Sequence, residues 1–124
     1  VYSNAGHPFP IHLHKNESIE LLQKGGPTIG LGDFDAIDDR KIRFKEGQLK
    51  LKPGDKLFIY TDGIVEYQND KEELYGDDRF YNSLKTQKAA SVTNMIDQCI
   101  NSLMEFGNNT NPQDDITLLG LELK

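Results

Sequence analysis

The sequence predicts an α+β fold that forms a single domain over residues 1–124. Short β-favouring segments separated by turn residues fill the first half of the chain. Segments with helical spacing follow, and a last apolar segment near the C-terminus reads as a closing strand. Hydrophobic residues make up 36% and charged residues 27%, which is ordinary for a domain with one core.

The first half is predicted to contain several short strands before the central one. Pro8 and the Lys15-Asn16-Glu17 turn separate strands at residues 1–5, 10–14 and 18–23. Residues 25–32 are rich in glycine, but no Lys-Ser/Thr pair follows them, which excludes a nucleotide-binding P-loop. Residues 33–39 are acidic and solvated in this prediction, and further short strands are expected at residues 41–44 and 48–52.

Residues 51–63, LKPGDKLFIYTDG, form the most informative segment. A turn at Pro53-Gly54-Asp55 precedes a buried strand over residues 56–61, which would hold Asp62 rigidly at the edge of a sheet. Gly63 would allow a ligand or a metal ion to approach the backbone. The alternative is an ordinary Asp-Gly turn between strands. Residues 64–67 are predicted to continue extended.

A second acidic element lies near the C-terminus, where Asp114 and Asp115 directly precede a predicted strand at residues 116–121. Two neighbouring strands could bring Asp62 and Asp114 together. Carboxylate ligands favour Mg²⁺ or Mn²⁺ over Zn²⁺, and the single cysteine and three histidines lack the spacing of a zinc site. The alternative is that the Asp114-Asp115 pair caps a loop.

Two helices are predicted between these acidic elements. A polar segment beginning at Asp70 is expected to lead into a short helix, and Ser91 is a suitable N-cap for a helix that ends near Phe106 and Gly107. Cys99 falls on the apolar face of the second helix, which predicts a buried packing role for its thiol.

The charge balance narrows the classes of partner. The chain has 14 basic and 20 acidic residues, and its net charge of -6 argues against nucleic acid or an anionic membrane as the main partner. A site lined by aspartates would repel a phosphorylated substrate unless a cation were bound. One cysteine allows no intramolecular disulfide, and no signal pattern or spanning apolar segment is present, so a cytoplasmic location is expected.

Four segments, taken in order, carry a resemblance to a known family. They are Asn4-Ala5-Gly6-His7-Pro8 with Pro10, Gly30-Leu31-Gly32 after Pro27, residues 51–63, and Asp114-Asp115-Ile116-Thr117. The chain resembles the C-terminal part of the stage II sporulation protein E family of bacterial metal-dependent serine/threonine phosphatases. These are relatives of the type 2C (PPM) phosphatases, and the resemblance covers essentially the whole chain.

The resemblance implies a β-sandwich flanked by helices and a centre that holds two Mn²⁺ or Mg²⁺ ions in the complete domain. Asp62 and Asp114 would be the catalytic metal ligands, with Gly63 beside the ion and Asp115 as a neighbouring carboxylate. In the family a further aspartate, in a Gly-Gly-Asp segment of the first half, bridges the two ions. This sequence has no such segment, so the chain is expected to be a C-terminal portion that is inactive or weak alone.

The implied reaction is hydrolysis of phosphoserine or phosphothreonine on a small bacterial regulatory protein, such as an anti-sigma-factor antagonist. A metal-activated water would attack phosphorus directly, without a phosphoenzyme. The alternative is a non-catalytic or truncated phosphatase-fold module that binds a signalling partner. Unpaired strand edges in an incomplete sheet would favour homodimerisation.

Three histidines and one arginine are further candidates for site residues. His7 could orient substrate or transfer a proton, but a role in satisfying backbone groups of the Gly-His-Pro turn is favoured. His12 and His14 alternate onto one strand face and are expected to be partly exposed. Arg79 matches a basic position of the family, but a surface or intrachain ion pair is favoured over phosphate contact, so Arg79 is not predicted to be catalytic.

Overall fold

The computed structural model describes residues 1–30, 44–86, 90–108 and 110–124. Its strands are β1 (Asn4–Ala5), β2 (Ile11–Leu13), β3 (Ile19–Leu21), β4 (Gly25–Gly26), β5 (Lys56–Tyr60) and β6 (Leu118–Glu122). The helices are α1 (Gly76–Lys85) and α2 (Val92–Gly107), and a 3₁₀ turn spans Asp62–Ile64. Strands therefore come first, two helices follow and a strand closes the chain, which confirms the α+β prediction.

An antiparallel sheet in the order β3-β2-β5-β6 forms the centre of the fold. Phe58 of β5 lies opposite Ile11 of β2 and Gly120 of β6. Strands β1 and β4 form a separate parallel pair. Since β5 is paired on both sides, the predicted central strand is confirmed, and the residues flanking it are fixed at the two ends of the sheet.

Both helices contribute to one core on a single face of the sheet. The buried residues include Ile11, Leu13, Phe58 and Tyr60 from strands and Phe80, Leu84, Met95, Cys99 and Leu103 from helices. A Cβ at Gly120 would lie 2.4 Å from Cγ2 of Val92, so α2 rests directly on β6. Each large apolar side chain buried here contributes about 1.5–3 kcal/mol to stability.

Helix α2 begins and ends close to where its sequence predicts. The Ser91 hydroxyl accepts a hydrogen bond of 3.3 Å from the amide of Asn94, and Asn108 takes a left-handed conformation with φ 49° just after Gly107. Burial raises the pKa of the Cys99 thiol, whose sulfur lies 3.0 Å from the Ser83 hydroxyl. Cys99 is therefore a packing residue, as predicted. No helix among the described residues is long and apolar enough to cross a membrane.

The predicted Pro53-Gly54-Asp55 turn leads directly into β5, with Gly54 at φ 93°. Asp55 is buried and accepts hydrogen bonds from the amides of Lys52 at 2.9 Å and Lys15 at 3.1 Å. The bond from the Lys52 amide is the main reason that the pKa of Asp55 falls to about 2, against the opposing effect of burial. This carboxylate thus ties the end of β2 to the start of β5.

Some predicted elements differ from the structure. The strand at residues 48–52 is wrong, because only Gly47 pairs there, in a bridge with Tyr2. Residues 33–39 and most of the strand predicted at residues 41–44 lie outside the described residues. The last strand begins at Leu118 rather than at Ile116. His12 was expected to be partly exposed but is only 2% exposed, because β2 lies between β3 and β5.

Candidate metal centre

Thr61 joins the end of β5 to the segment that precedes β6. Its hydroxyl donates a hydrogen bond of 2.7 Å to the carbonyl of Asp115 and accepts one of 2.9 Å from the amide of Thr117. Its amide also bonds the Thr117 carbonyl at 3.1 Å. The sequence analysis did not single out Thr61. Its position between the buried strand and Asp62 could have indicated it. Thr61 fixes the spacing of the two acidic elements.

Asp62 follows as the first residue of the 3₁₀ turn. Its carbonyl accepts a hydrogen bond of 2.9 Å from the amide of Glu66, while its side chain is exposed. The chain therefore turns immediately after Gly63, and the prediction of an extended segment at residues 64–67 is wrong. The turn is favoured because it buries Ile64 and Tyr67 in the core, which an exposed extended segment would not do.

Gly63 is the point where the two acidic segments touch. It is buried, and a Cβ built on it would lie 2.5 Å from the carbonyl oxygen of Asp115 and 3.4 Å from the carbonyl carbon of Asp114. Only glycine permits backbones to approach this closely without displacement. The described neighbour of Gly63 is thus the Asp114-Asp115 backbone, and its predicted place beside a metal ion stays a prediction.

Asp114 and Asp115 both have exposed side chains. One Asp114 carboxylate oxygen accepts a hydrogen bond of 2.7 Å from the Asp115 amide. Within the described ranges, the three aspartates do not form a group whose ligand oxygens all lie within 4.8 Å of one another. The arrangement suits a hydrated Mg²⁺ or Mn²⁺, which needs only one or two carboxylates besides water. The donors are thus of the chemical type that these ions prefer, and their binding of one ion by Asp62 and Asp114 together stays a prediction.

A cavity of about 320 Å³ opens beside this junction. It is lined by Gly63, Glu66, Tyr67, Gln68, Leu74, Gln113 and Asp114. The Gln113 side-chain carbonyl accepts a hydrogen bond of 3.2 Å from the Gln68 amide, which fixes one wall. Two carboxylates and two carboxamides give the cavity a polar, electronegative lining, so an anionic ligand there would need a cation beside it.

Arg79 and His7 lie outside this junction and have structural contacts. The Arg79 guanidinium donates hydrogen bonds to the carbonyls of Leu74 at 2.8 Å and Tyr75 at 3.0 Å, and it lies 4.7 Å from the ring centroid of Phe106. This is an intrachain role, although through carbonyls and a ring rather than an ion pair. The His7 ring nitrogen Nδ1 lies 2.8 Å from the Pro8 carbonyl, and the His7 main chain exchanges two hydrogen bonds with the Asn4 side chain, so the ring contacts the backbone of the turn as predicted.

The sequence model of the stage II sporulation protein E (SpoIIE) family matches residues 1–124. The chain belongs to this family. Protein IcfG of Synechocystis sp. is a curated relative that is 28% identical to this SpoIIE-family chain over 121 residues. The aligned region is 97% of this chain and 18% of IcfG, so the chain spans only a small part of that relative.

Solved structures show where the SpoIIE-family fold recurs. The SiaA-PP2C domain of Pseudomonas aeruginosa matches with a TM-score of 0.76 at 21% identity, over 98% of this chain and 46% of that one. The RsbU and RsbW domains of a Mycobacterium tuberculosis protein match with a TM-score of 0.66 at 23% identity, over 98% of this chain and 31% of that one. The phosphatase domain of Bacillus subtilis SpoIIE, presoaked with Mn, matches with a TM-score of 0.65 at 17% identity, over 96% of this chain and 48% of that one. The predicted PP2C-type fold class is confirmed.

Proposed function

We propose that this chain is the C-terminal, metal-binding portion of a protein serine/threonine phosphatase domain. The observation that carries the proposal is the close approach of Gly63, the residue after Asp62, to the Asp114-Asp115 backbone, together with the hydrogen bonds of Thr61 to Asp115 and Thr117. Membership of the SpoIIE family supports the same reaction class. The proposed location is the cytoplasm. Cys99, the one cysteine of the chain, is a free buried thiol, which is compatible with a reducing compartment.

In this proposal Asp62 and Asp114 bind Mn²⁺ or Mg²⁺, and Asp115 supplies a neighbouring carboxylate. Such ions, when bound, act as Lewis acids that activate water and neutralise phosphoryl oxygens. Thr61 holds the two acidic segments at a fixed separation, and Gly63 keeps the space between them free of a side chain. Fixed ligands lose little conformational entropy when the ion binds, which favours affinity.

The substrate in this proposal is a phosphorylated serine or threonine on a small bacterial regulatory protein, such as an anti-sigma-factor antagonist. The cavity beside Asp114 would receive the phosphorylated side chain. Gln68 and Gln113 offer amide groups to a peptide backbone, and the exposed Leu74 offers an apolar contact. Glu66 and Asp114 would repel the phosphate unless metal ions neutralised them, so substrate binding should depend on the metal.

The face of the sheet opposite the helices supports the interpretation as a portion of a domain. Gly120 faces α2, so the alternate residues Leu119 and Leu121 lie on the other face, and each is 51% exposed. Leu57 and Ile59 are their cross-strand partners on β5. We propose that the remainder of a longer phosphatase domain covers this apolar face, since the two solved phosphatase domains above are more than twice as long as the part matched.

The alternative is a homodimer of this chain through the edge strand β6, which would extend the sheet and leave the apolar face uncovered. Sedimentation of the isolated chain and of a longer chain that includes the upstream half separates the two. A longer chain that is monomeric, beside an isolated chain that self-associates, supports coverage by the same polypeptide. Dimerisation of both through β6 would overturn that part of the proposal.

The metal site is tested by titrating the chain with Mn²⁺ and following free Mn²⁺ by electron paramagnetic resonance. Asp62→Asn and Asp114→Asn should each weaken binding by about tenfold or more, while circular dichroism shows an unchanged fold. The matched control is Asp97→Asn, which removes an exposed carboxylate from α2. Unchanged Mn²⁺ affinity in both site variants would sink the site assignment.

Catalysis is tested by Mn²⁺-dependent hydrolysis of a chromogenic phosphate ester by the chain and by the longer protein. We expect weak or no turnover by the chain alone, because it lacks the Gly-Gly-Asp segment expected to bridge two ions. Turnover by the longer protein that both site variants abolish supports the phosphatase. A folded, metal-binding longer protein without turnover would favour the alternative, a module that only binds a signalling partner.

A further inference from the structure

Two histidines and a glutamate converge at the opposite end of the sheet from Asp62. His12 of β2 lies directly opposite Glu20 of β3, and His14 follows on the same face, its ring centroid 3.8 Å from that of His12. One Glu20 carboxylate oxygen lies 3.6 Å from Nδ1 of His12 and 3.5 Å from Nε2 of His14. One ligand atom from each of the three residues lies within 4.8 Å of the others.

The two distances from Glu20 are close to those between atoms that share a metal ion. Hydrogen bonds between nitrogen and oxygen are usually 2.7–3.2 Å long, so both contacts of Glu20 are too long to be good ones. Ligands at about 2.0–2.1 Å from a tetrahedral zinc ion lie roughly 3.3–3.4 Å from one another. The two distances exceed that edge by a few tenths of an ångström, which small side-chain rotations would remove.

Asp55 orients His12 for this purpose. Nε2 of His12 lies 3.0 Å from an Asp55 carboxylate oxygen, and the amides of Lys15 and Lys52 hold that carboxylate in place. Because a carboxylate accepts the Nε2 proton, a neutral imidazole carries its lone pair on Nδ1, the atom nearer Glu20. A carboxylate that bonds the distal nitrogen of a metal-binding histidine is a common second layer of such sites.

The Nδ1 atom of His12 is itself unusual. His12 is 2% exposed, and within the described parts of the chain this nitrogen is a buried polar atom without a hydrogen-bond partner. Leaving a buried polar atom unpaired costs about 1–3 kcal/mol, so such atoms call for an explanation. Glu20 is 59% exposed and His14 is 32% exposed at their side chains, which gives an ion a path from solvent.

We propose that His12, His14 and Glu20 bind a divalent transition-metal ion, Zn²⁺ in particular, at a site separate from the acidic junction. Two imidazole nitrogens and one carboxylate suit Zn²⁺ better than the hard ions Mg²⁺ and Mn²⁺. Three protein ligands leave a fourth position for water or another donor. A bound ion joins β2 to β3 and, through Asp55, to β5.

The test is calorimetric titration of the chain with Zn²⁺ in excess Mg²⁺, which occupies the acidic junction. His14→Gln and Glu20→Gln, both at partly exposed positions, should each weaken Zn²⁺ binding by more than about tenfold. The matched controls are His7→Gln and Glu105→Gln, which change an exposed histidine and an exposed glutamate elsewhere and should bind as the unmodified chain does. Co²⁺ in place of Zn²⁺ should give the intense visible absorption of tetrahedral coordination.

A second measurement on the unmodified chain needs no substitution. Zn²⁺ should shift the imidazole ¹⁵N resonances of His12 and His14 and leave those of His7 unchanged. The proposal is overturned if these resonances do not move, if the two variants bind Zn²⁺ as tightly as the controls, or if Asp62→Asn alone removes binding. The last result would place the Zn²⁺ ion at the acidic junction instead.

Discussion

The two ends of β5 present contrasting environments. Asp62, just past its C-terminal end, has an exposed side chain on a backbone fixed by Thr61 and Gly63. Asp55, just before its N-terminal end, is itself buried and held by two amides and a histidine. The rise of about 3.3 Å per residue puts these ends roughly 20 Å apart. The open end suits a hydrated hard ion, whereas the histidine end suits a less hydrated one.

The two ends of β5 are held in place by different kinds of contact. The acidic junction is positioned by main-chain contacts, so its carboxylates can change without loss of the fold. The histidine end is positioned by side-chain contacts in the sheet, so its buried carboxylate is part of the fold. Loss of the buried Asp55 carboxylate should therefore lower stability, whereas loss of the exposed Asp62 carboxylate should weaken metal binding and leave stability almost unchanged.

The largest expected effect on stability is that of Asp55→Ala. It leaves the amides of Lys15 and Lys52 and the ring of His12 without their buried acceptor, and we expect a loss of about 3–5 kcal/mol in the free energy of unfolding. Urea denaturation of the variant and of the unmodified chain measures this difference in the free energy of unfolding. The matched variant Asp62→Ala removes an exposed carboxylate and should change stability by no more than about 0.5 kcal/mol. Equal losses of stability in the two variants would contradict the inference that Asp55 belongs to the fold and Asp62 does not.

Gly63→Ala should follow in size, with a loss of about 1–3 kcal/mol, because its methyl group would collide with the Asp115 carbonyl. The same variant should weaken Mn²⁺ binding, since Asp114 and Asp115 must move. Gly76→Ala is the control variant, because a Cβ at this position would meet open space. Its cost of about 1 kcal/mol comes only from the φ of 77°, which alanine adopts less readily than glycine. Mn²⁺ affinity that survives in Gly63→Ala would show that the close backbone contact does not position the site.

Thr61→Val should cost about 1–2 kcal/mol, because it keeps the shape of the side chain and removes two hydrogen bonds across the junction. Thr117→Val is the control, since only the main chain of Thr117 takes part in those bonds. Hydrogen exchange of the Thr117 amide should quicken in Thr61→Val and not in the control. Unchanged exchange would mean that Thr61 does not tie the segments together.

The smallest effects on stability, within about 0.5 kcal/mol, are expected for Asp62→Asn and His14→Gln, which change side chains that are at least partly exposed. Their effects on metals should be complementary. Asp62→Asn should weaken Mn²⁺ binding and leave Zn²⁺ binding intact, and His14→Gln should do the reverse. Calorimetry with each ion on each variant measures this, and loss of both ions in either variant would mean one shared site.

Several features of the fold could be read from local sequence because local interactions determine them. The hydroxyl of Ser91 and the left-handed residue after Gly107 bound α2 where the pattern placed them. The Pro53-Gly54-Asp55 turn and the apolar segment after it specify β5. The prediction after Gly63 was wrong because β-favouring residues at 64–67 also fill a core, and burial of Ile64 and Tyr67 outweighed their extended preference.

The family, the α+β order of elements and the acidic residues that a hard cation would need follow from the residues and their order along the chain. Which distant residues meet depends on how the strands pair and the helices pack. Strand register places Glu20 opposite His12, whereas the spacing of the histidines along the chain does not predict a zinc site. The turn before β5 brings Asp55 to the same histidine. The contact of Gly63 with Asp115 likewise depends on how β5 and β6 pair. These contacts join residues far apart in sequence, so no local pattern encodes them.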